Sequence, residues 1–462
     1  LRRFRLKGLL CSLLVLFFAA AALPAQETSE RVRALEKKVE ELERRLDRLS
    51  AGADTATRAE VEELRRQIDV LTKEIEDLKT AVPETAPPGP RGAFGLGPAA
   101  SKIYGVTRGV SIGGYGEVLY QNFDERRDDS AASGRTDEID LVRAVFYFGY
   151  KFDERFLFNS EIEYEHATTG SGSEAKGEVS VEFAYVDFLA RKELGLRAGL
   201  VLLPVGFVNE LHEPPVFLGA RRPEVETRIL PTTWRELGVG VFGDAGPVSY
   251  RAYVVNGLDA AGFSASTPIR GGRQKGSRAR AEDFGVTGRL DFTGVPGLLV
   301  GVSGYAGDSA QGRLAAGRSF DAPVSVWDAH AEWRFRGLQL RGLAAFGRIG
   351  DAADVNVLRG ATGNASVGER FQGSYAEGGF DVLSPRGGRA SLVPFVRYER
   401  LDAQKRVPVG FARDRANDVR VWTVGANYRP IQQVVLKLDY QDFANDARTG
   451  VNQWNFALGW LF

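Results

Sequence analysis

The 462 residues are balanced in charge, with 60 Lys and Arg against 60 Asp and Glu, and only 44% are hydrophobic. That balance, with no stacking motif beside the basic residues, argues against nucleic acid as a partner, and a mean hydropathy of -0.20 argues against a bundle of membrane helices. A β-barrel stays open, because a spanning strand needs apolar residues only at alternate positions; 54 glycines and 10% aromatic residues suit such a protein.

Residues 1–25 read as a secretory signal peptide. Arg2, Arg3, Arg5 and Lys7 precede an apolar run from Leu9 to Ala22, too short for a comfortable membrane span, and Leu23-Pro24-Ala25 offers a small residue before the cut. Cys11 raises a lipoprotein alternative, but Leu10 is bulky where such processing wants a small residue. Cleavage would leave a chain with about four more acidic than basic residues and no thiol for a periplasmic oxidant.

Residues 29–82 are expected to form a periplasmic coiled coil. Val32, Leu35, Val39, Leu42, Leu46 and Leu49 alternate three and four apart, and after a break near Gly52 the pattern resumes with Val61, Leu64, Ile68, Leu71, Ile75, Leu78 and Val82. Thr57-x-x-Glu60 marks the restart as a capping box. The apolar stripe is narrow, which favours self-association over a helix lying on its own domain. Val and Ile at one seam position with Leu at the other lean toward dimers. Residues 83–101, opening PETAPPGPRG, read as a Pro/Gly-rich linker, and the second module, 102–462, begins there.

From Val110 onward about sixteen strand-like runs follow. In FLFNSEIEYEHA, Phe156, Phe158, Ile162 and Tyr164 share one face while Asn159, Glu161, Glu163 and Glu165 share the other. VVLKLDYQDF separates Leu436, Leu438 and Tyr440 from Lys437, Asp439 and Gln441 in the same way. Short links at 152–154, 192–194, 243–246, 293–297, 336–337, 384–388 and 429–432 alternate with long ones centred on 122–137, 168–177, 205–234, 258–281, 308–322, 349–368, 404–416 and 444–450. Short turns at one rim and long loops at the other describe an all-β transmembrane barrel of about sixteen antiparallel up-and-down strands. Tyr115, Tyr120, Phe146, Phe148, Tyr150, Trp333, Trp422 and Trp454 are expected in its aromatic belt. The competing fold, a soluble sandwich or propeller, offers no separate reason for the apolar ending WNFALGWLF, whose Trp454, Phe456, Leu458, Trp460 and Phe462 all fall on one face.

Trp460-Leu461-Phe462 resembles the C-terminal signal read by the barrel assembly machinery of outer membranes. GLVLLPVGFVNE at 199–210 and RELGVGVFG at 235–243, through Gly199, Pro204, Gly206, Arg235, Gly238, Val239 and Gly243, resemble the strands flanking the third loop in the phosphate-selective porin O and P family. That resemblance implies a trimeric sixteen-stranded barrel whose third loop folds inward to narrow the pore. A coiled coil before the barrel is similar to DcaP-like porins, which are trimers, and so implies a homotrimer here.

The third long connection is the best site candidate, since loops of this length are usually functional. Arg221, Arg222, Arg228 and Arg235 are placed to meet an anion at a constriction, with Glu210 and Glu213 among the acidic residues able to pair with them and simply hold the loop. Strand alternation turns Arg143, Arg197, Arg251, Arg289, Arg341 and Arg397 toward the lumen, together with Glu161, Glu163, Glu165, Asp291, Asp328 and Glu399. Mixed charge of this kind does not fix ion selectivity. Arg270, Arg273, Lys275, Arg278 and Arg280 crowd one long loop, read first as solvated and second as a patch for anions or lipopolysaccharide phosphates.

Gly238-x-Gly240-x-x-Gly243 matches a dinucleotide fingerprint in letters only, since a strand rather than a helix should follow. His166, His212 and His330 show no paired metal spacing, so neither metal nor cofactor is expected. The sequence thus predicts an outer-membrane porin, not an enzyme, passing small hydrophilic solutes, with anions such as phosphate among the candidates. A barrel-anchored tether reaching peptidoglycan through the coiled coil is the first alternative, and an outer-membrane hydrolase the second.

Overall fold

The computed structural model describes residues 35, 37–44, 62–72, 91–170, 176–386 and 390–462. The chain divides into two units, Leu1–Pro87 and Pro88–Phe462. The expected signal peptide, and the parts of the stalk and linker outside those ranges, fall beyond the described residues.

In the first unit, 37–44 and 62–72 are α-helical. Leu35, Val39 and Leu42 in one stretch, and Leu64, Ile68 and Leu71 in the other, are its least exposed described residues, and all six belong to the seam read from the sequence. Arg44 pairs with Glu40, and Arg66 with Glu63, contacts across one helical turn that add a few tenths of a kcal/mol each.

The second unit is a closed barrel of sixteen strands. Its first quarter comprises β1 (Gly109–Phe123), β2 (Glu138–Lys151), β3 (Phe156–Glu165) and β4 (Val179–Arg191). There follow β5 (Leu194–Leu202), β6 (Arg235–Ala245), β7 (Val248–Asn256) and β8 (Phe284–Phe292). The second half is β9 (Leu298–Gly307), β10 (Val324–Phe335), β11 (Leu338–Ile349), β12 (Arg370–Phe380), β13 (Ser391–Arg406), β14 (Asp418–Ile431), β15 (Val434–Asn445) and β16 (Gln453–Leu461). Each strand pairs antiparallel with the next, and β16 closes on β1 in a register running from Tyr115↔Leu461 to Phe123↔Gln453. No ladder edge is left among them, which is what lets a sheet sit in hydrocarbon without orphaned backbone groups. A two-residue hairpin, Leu314–Ala315 with Arg318–Ser319, decorates one long loop.

Alternation sets the two faces. Trp454, Phe456 and Leu438 point outward and remain 49%, 47% and 50% exposed, a wasteful arrangement in water and a natural one in lipid. Their neighbours Asn455, Lys437 and Asp439 point inward and are buried. Tyr120, Phe146, Phe148, Tyr150, Trp422 and Trp454 lie on the outer wall as expected. Tyr115 does not: it shares parity with Gly113 and Glu117, opposite to Tyr120, and so packs inside against Tyr147 and His212.

The tail of the expected linker also departs from its composition. Residues 91–101 are not a free tether; Leu96, Ala99 and Ala100 are buried, and with the short helix Lys102–Gly105 they pack against the inner wall. Composition hid this because the segment has no periodic apolar face. It is held through backbone groups and a few side chains at close approach.

Candidate functional site: the filled lumen

The third long connection, 203–234, turns into the barrel and crosses it. Asn209 fastens the neck, its carboxamide donating to the carbonyls of Leu203 (2.6 Å) and Trp234 (2.9 Å) and accepting from the Trp234 N–H (2.7 Å). Gly206 makes the inward turn with φ +70°, a conformation that favours glycine, and a Cβ there would meet the Glu226 carboxylate at 2.6 Å. Glu226 in turn accepts the N–H groups of Phe207 (2.6 Å) and Val208 (2.7 Å) and the Tyr375 hydroxyl (2.6 Å). Burial pushes its carboxyl up from the usual range.

From that neck the loop meets the wall around most of its circumference. The Gly206 N–H donates to Asp328 on β10, Arg341 on β11 donates to the Val216 carbonyl (3.1 Å), and Arg397 on β13 donates to that of Leu218 (3.2 Å). Arg429 on β14 donates to the Pro215 carbonyl (2.8 Å), and Lys437 on β15 to those of Phe217 and Gly219. Pro214 lies where a side chain on Gly459 would have to go. Beneath the loop a cavity of about 10 Å³, lined by Val216, Leu218, Glu332, Arg334, Arg341 and Glu377 among others, has room for about one water.

Each lumen arginine expected from alternation does point inward, and each is paired. Arg143 lies 3.4 Å from Glu117 and 3.2 Å from Glu163, Arg197 is 2.8 Å from Asp187, and Arg251 sits between Glu210 (3.2 Å) and Asp291 (3.0 Å). Arg289 is 2.7 Å from Asp291, Arg341 is 2.6 Å from Glu332, and Arg397 bridges Glu399 (2.9 Å) and Glu377 (3.2 Å). All but the partly exposed Arg143 are buried, so they hold the wall and the loop together in this state, rather than standing in open water.

The loop arginines divide into two groups. Arg235 is buried against Glu182 at 2.7 Å. Arg221 keeps 34% of its side chain exposed beside Glu224 (3.3 Å), Arg222 donates to the His212 carbonyl, and Arg228 reaches the Ser266 carbonyl and Asn417. Arg221, Arg222 and Arg228 are therefore the members of the set with surface left for a solute. Glu210 is spent on Arg251. Glu213 accepts the Ala99 (3.0 Å) and Ala100 (3.1 Å) N–H groups, and burial raises its carboxyl to about 7.

Two features escape sequence reasoning. Arg270 and Arg273, expected on a solvated loop, turn in and donate to the third loop's carbonyls at Thr227, Thr232 and Thr233, because those carbonyls have no strand partner. Burial lowers the Arg273 guanidinium to about 9. Inside the wall, Tyr115, Tyr147, Phe183 and Tyr185 follow one another with centroids 6.2, 5.9 and 5.2 Å apart, and Arg197 lies 3.9 Å over the last ring. Counting parity from the inward Glu117 would have found Tyr115 among them.

No family model matches the chain. A protein of Aquifex aeolicus (strain VF5), described only as uncharacterized, is 38% identical over 395 residues, covering 83% of this chain and 86% of that one. The chain belongs to that protein's family. Among solved structures, Salmonella typhi OmpF in complex with daunomycin aligns at a TM-score of 0.50 with 11% identity, over 77% of this chain and 98% of that chain. A loop L8 deletion mutant of OmpT, an outer membrane protein of Vibrio cholerae, aligns at 0.49 with 10% identity, over 77% and 100%. The barrel of this chain, by the first of these likenesses and its own sixteen-strand topology, has the fold of outer-membrane porins.

Proposed function

We propose that the chain is an outer-membrane channel of the porin type, passing small hydrophilic solutes, with anions such as phosphate preferred. The observation that supports this reading best is the wall itself, a closed sixteen-strand barrel with an apolar outside and a charged inside. Arg221, Arg222 and Arg228 on the third loop would supply the anion preference, replacing part of a solute's hydration shell by guanidinium donors. The phosphate-selective porin O and P family and the DcaP-like porins are the resemblance that suggests the solute class and a homotrimer.

The barrel would sit in the outer membrane of a Gram-negative-type bacterium with its coiled coil in the periplasm. Trp460 and Phe462 would serve the assembly machinery, and exposed Arg278 and Arg280 would meet lipopolysaccharide phosphates. No chemical step belongs to this reading. His212 has its ring nitrogens against the Asn209 carbonyl and Glu161, His330 against Asp328 and Asp291, and His166 pairs through one ring nitrogen with Asp140.

A second reading, a tether that uses the barrel as an anchor, is favoured by the filled lumen and the stalk. Conductance of the refolded full chain across a planar bilayer separates the two. Discrete current steps, with a reversal potential in a salt gradient on the anion side, are expected of the channel; a silent bilayer would leave the tether.

A further inference from the structure

Residues 91–105 run under the third loop without joining the sheet. Arg91 is 3.8 Å from Glu332 on β10, Phe94 packs edge-on to Phe242 on β6 (4.9 Å), and Tyr104 donates to Asp187 on β4 (2.7 Å) while accepting from Arg197. The Ala100 carbonyl accepts from Asn159 on β3 (2.9 Å), and Glu213 takes the two N–H groups at Ala99 and Ala100. The third loop is rooted on β5 and β6 and meets the wall from β10 round to β16, and also at β3, β7 and β8; this segment lies against the wall from β1 to β7 and reaches β10 through Arg91.

The manner of its attachment is unlike that of the loop. No residue of the segment pairs with a strand, and β1 is already paired on both sides by β2 and β16, so its departure breaks no ladder. Its hold is made by side chains: the Arg91–Glu332 pair, Tyr104 between Asp187 and Arg197, the Phe94–Phe242 ring contact, the bonds from Asn159 and to Glu213, and the buried apolar surfaces of Leu96, Ala99, Ala100 and Ile103. It is also covalently continuous with the stretch expected to form the stalk, so a pull on that stretch is delivered to this segment first.

We propose that residues 91–105 are a detachable stopper: docked beneath the third loop they keep the barrel shut, and withdrawn toward the stalk they open it. The inference rests on the channel reading. Glu213 is its latch, since its carboxylate takes two N–H groups of the stopper and so ties it to the loop above, beside the weaker contact of Arg91 with the Phe207 ring (5.5 Å).

The test is single-channel recording of the full chain with the stopper locked or loosened. In a Cys11→Ser background, Ile103→Cys with Gly149→Cys forms the lock; a Cβ built on Gly149 lies 2.9 Å from that of Ile103, close enough to the disulfide range for a small adjustment. With the cross-link verified by mass spectrometry, the oxidised protein should lose at least tenfold in open probability and regain it on reduction. Glu213→Leu should raise open probability by a similar factor. Conductance that changes neither with oxidation nor with Glu213→Leu overturns the stopper and leaves the channel standing. Silence from every form, Glu213→Leu included, overturns the channel reading and the stopper with it.

Discussion

Lys437 holds Phe217 from two directions. Its ammonium, on the barrel wall, donates to the Phe217 carbonyl at 2.9 Å and lies 3.7 Å from the centre of the same residue's ring, with a further bond to the Gly219 carbonyl at 2.8 Å. Lys437→Met keeps most of the stem and removes the charge, leaving two buried carbonyls without their donor, at a cost of about 2–4 kcal/mol. The expected outcome is a lower urea midpoint for the refolded barrel and a noisier, larger conductance as the loop's tip comes free. An unchanged midpoint would show that the loop does not depend on this clamp.

Asn209 is the corresponding clamp at the neck. Asn209→Leu leaves the buried Trp234 N–H without its acceptor and takes one of two donors from each of the Leu203 and Trp234 carbonyls, and should cost about 1–3 kcal/mol. Asn209→Asp is the sharper probe, because a carboxylate keeps the bond from the Trp234 N–H but turns an oxygen toward the two carbonyls. It should be at least as damaging as leucine in the same denaturation assay; near-wild-type stability would mean the neck is held elsewhere.

Arg221 and Arg397 should respond differently to loss of charge. Arg221 is partly exposed, so Arg221→Gln is expected to move the reversal potential toward cations while shifting stability by less than about 1 kcal/mol. Arg397 is 0% exposed between Glu377 and Glu399, so Arg397→Gln leaves buried carboxylates unmatched and should destabilise the barrel by about 3–5 kcal/mol. Paired measurements of selectivity and denaturation midpoint check both; equal effects from the two would contradict the division into exposed and structural arginines.

On the outer wall, Leu438→Arg should destabilise the folded barrel in vesicles by about 2–4 kcal/mol if the site lies near the bilayer midplane, and less in short-chain detergent where the guanidinium reaches water. The same assay on Val409→Arg, at a fully exposed loop position, should give almost no change.

Deleting 29–82 should convert the expected trimer to a weaker assembly, read as a drop in mass by light scattering with the barrel still folded by circular dichroism. An unaltered mass would place the oligomer contacts on the barrel wall instead.

The strand meander was legible because lipid and lumen impose opposite demands on successive residues. That rule reads FLFNSEIEYEHA and WNFALGWLF correctly from their letters, and the alternation of short and long connections then gives the order of the walls. It fails where glycine dilutes it: in VSIGGYGEVLYQ the face of Tyr115 is not apparent until Glu117 is counted with it. The third loop was recognisable as exceptional from its length and prolines, but not its path, since its partners lie far along the chain. Asp328, Arg341, Arg397 and Lys437 are more than a hundred residues from the backbone groups they hold.

By itself, then, the sequence determined which side chains face outward and which inward, because a strand's period of two is local and the solvents on its faces differ. Only the tertiary structure decided what the inward charges do. A guanidinium such as that of Arg397 serves an open pore or a filled one equally well in one dimension, and its role follows from whether Leu218, Glu377 and Glu399 are brought against it. The same holds for GAFGLGPAA, which reads as a free linker until the closed wall and Glu213 supply the partners that its backbone lacks along the chain.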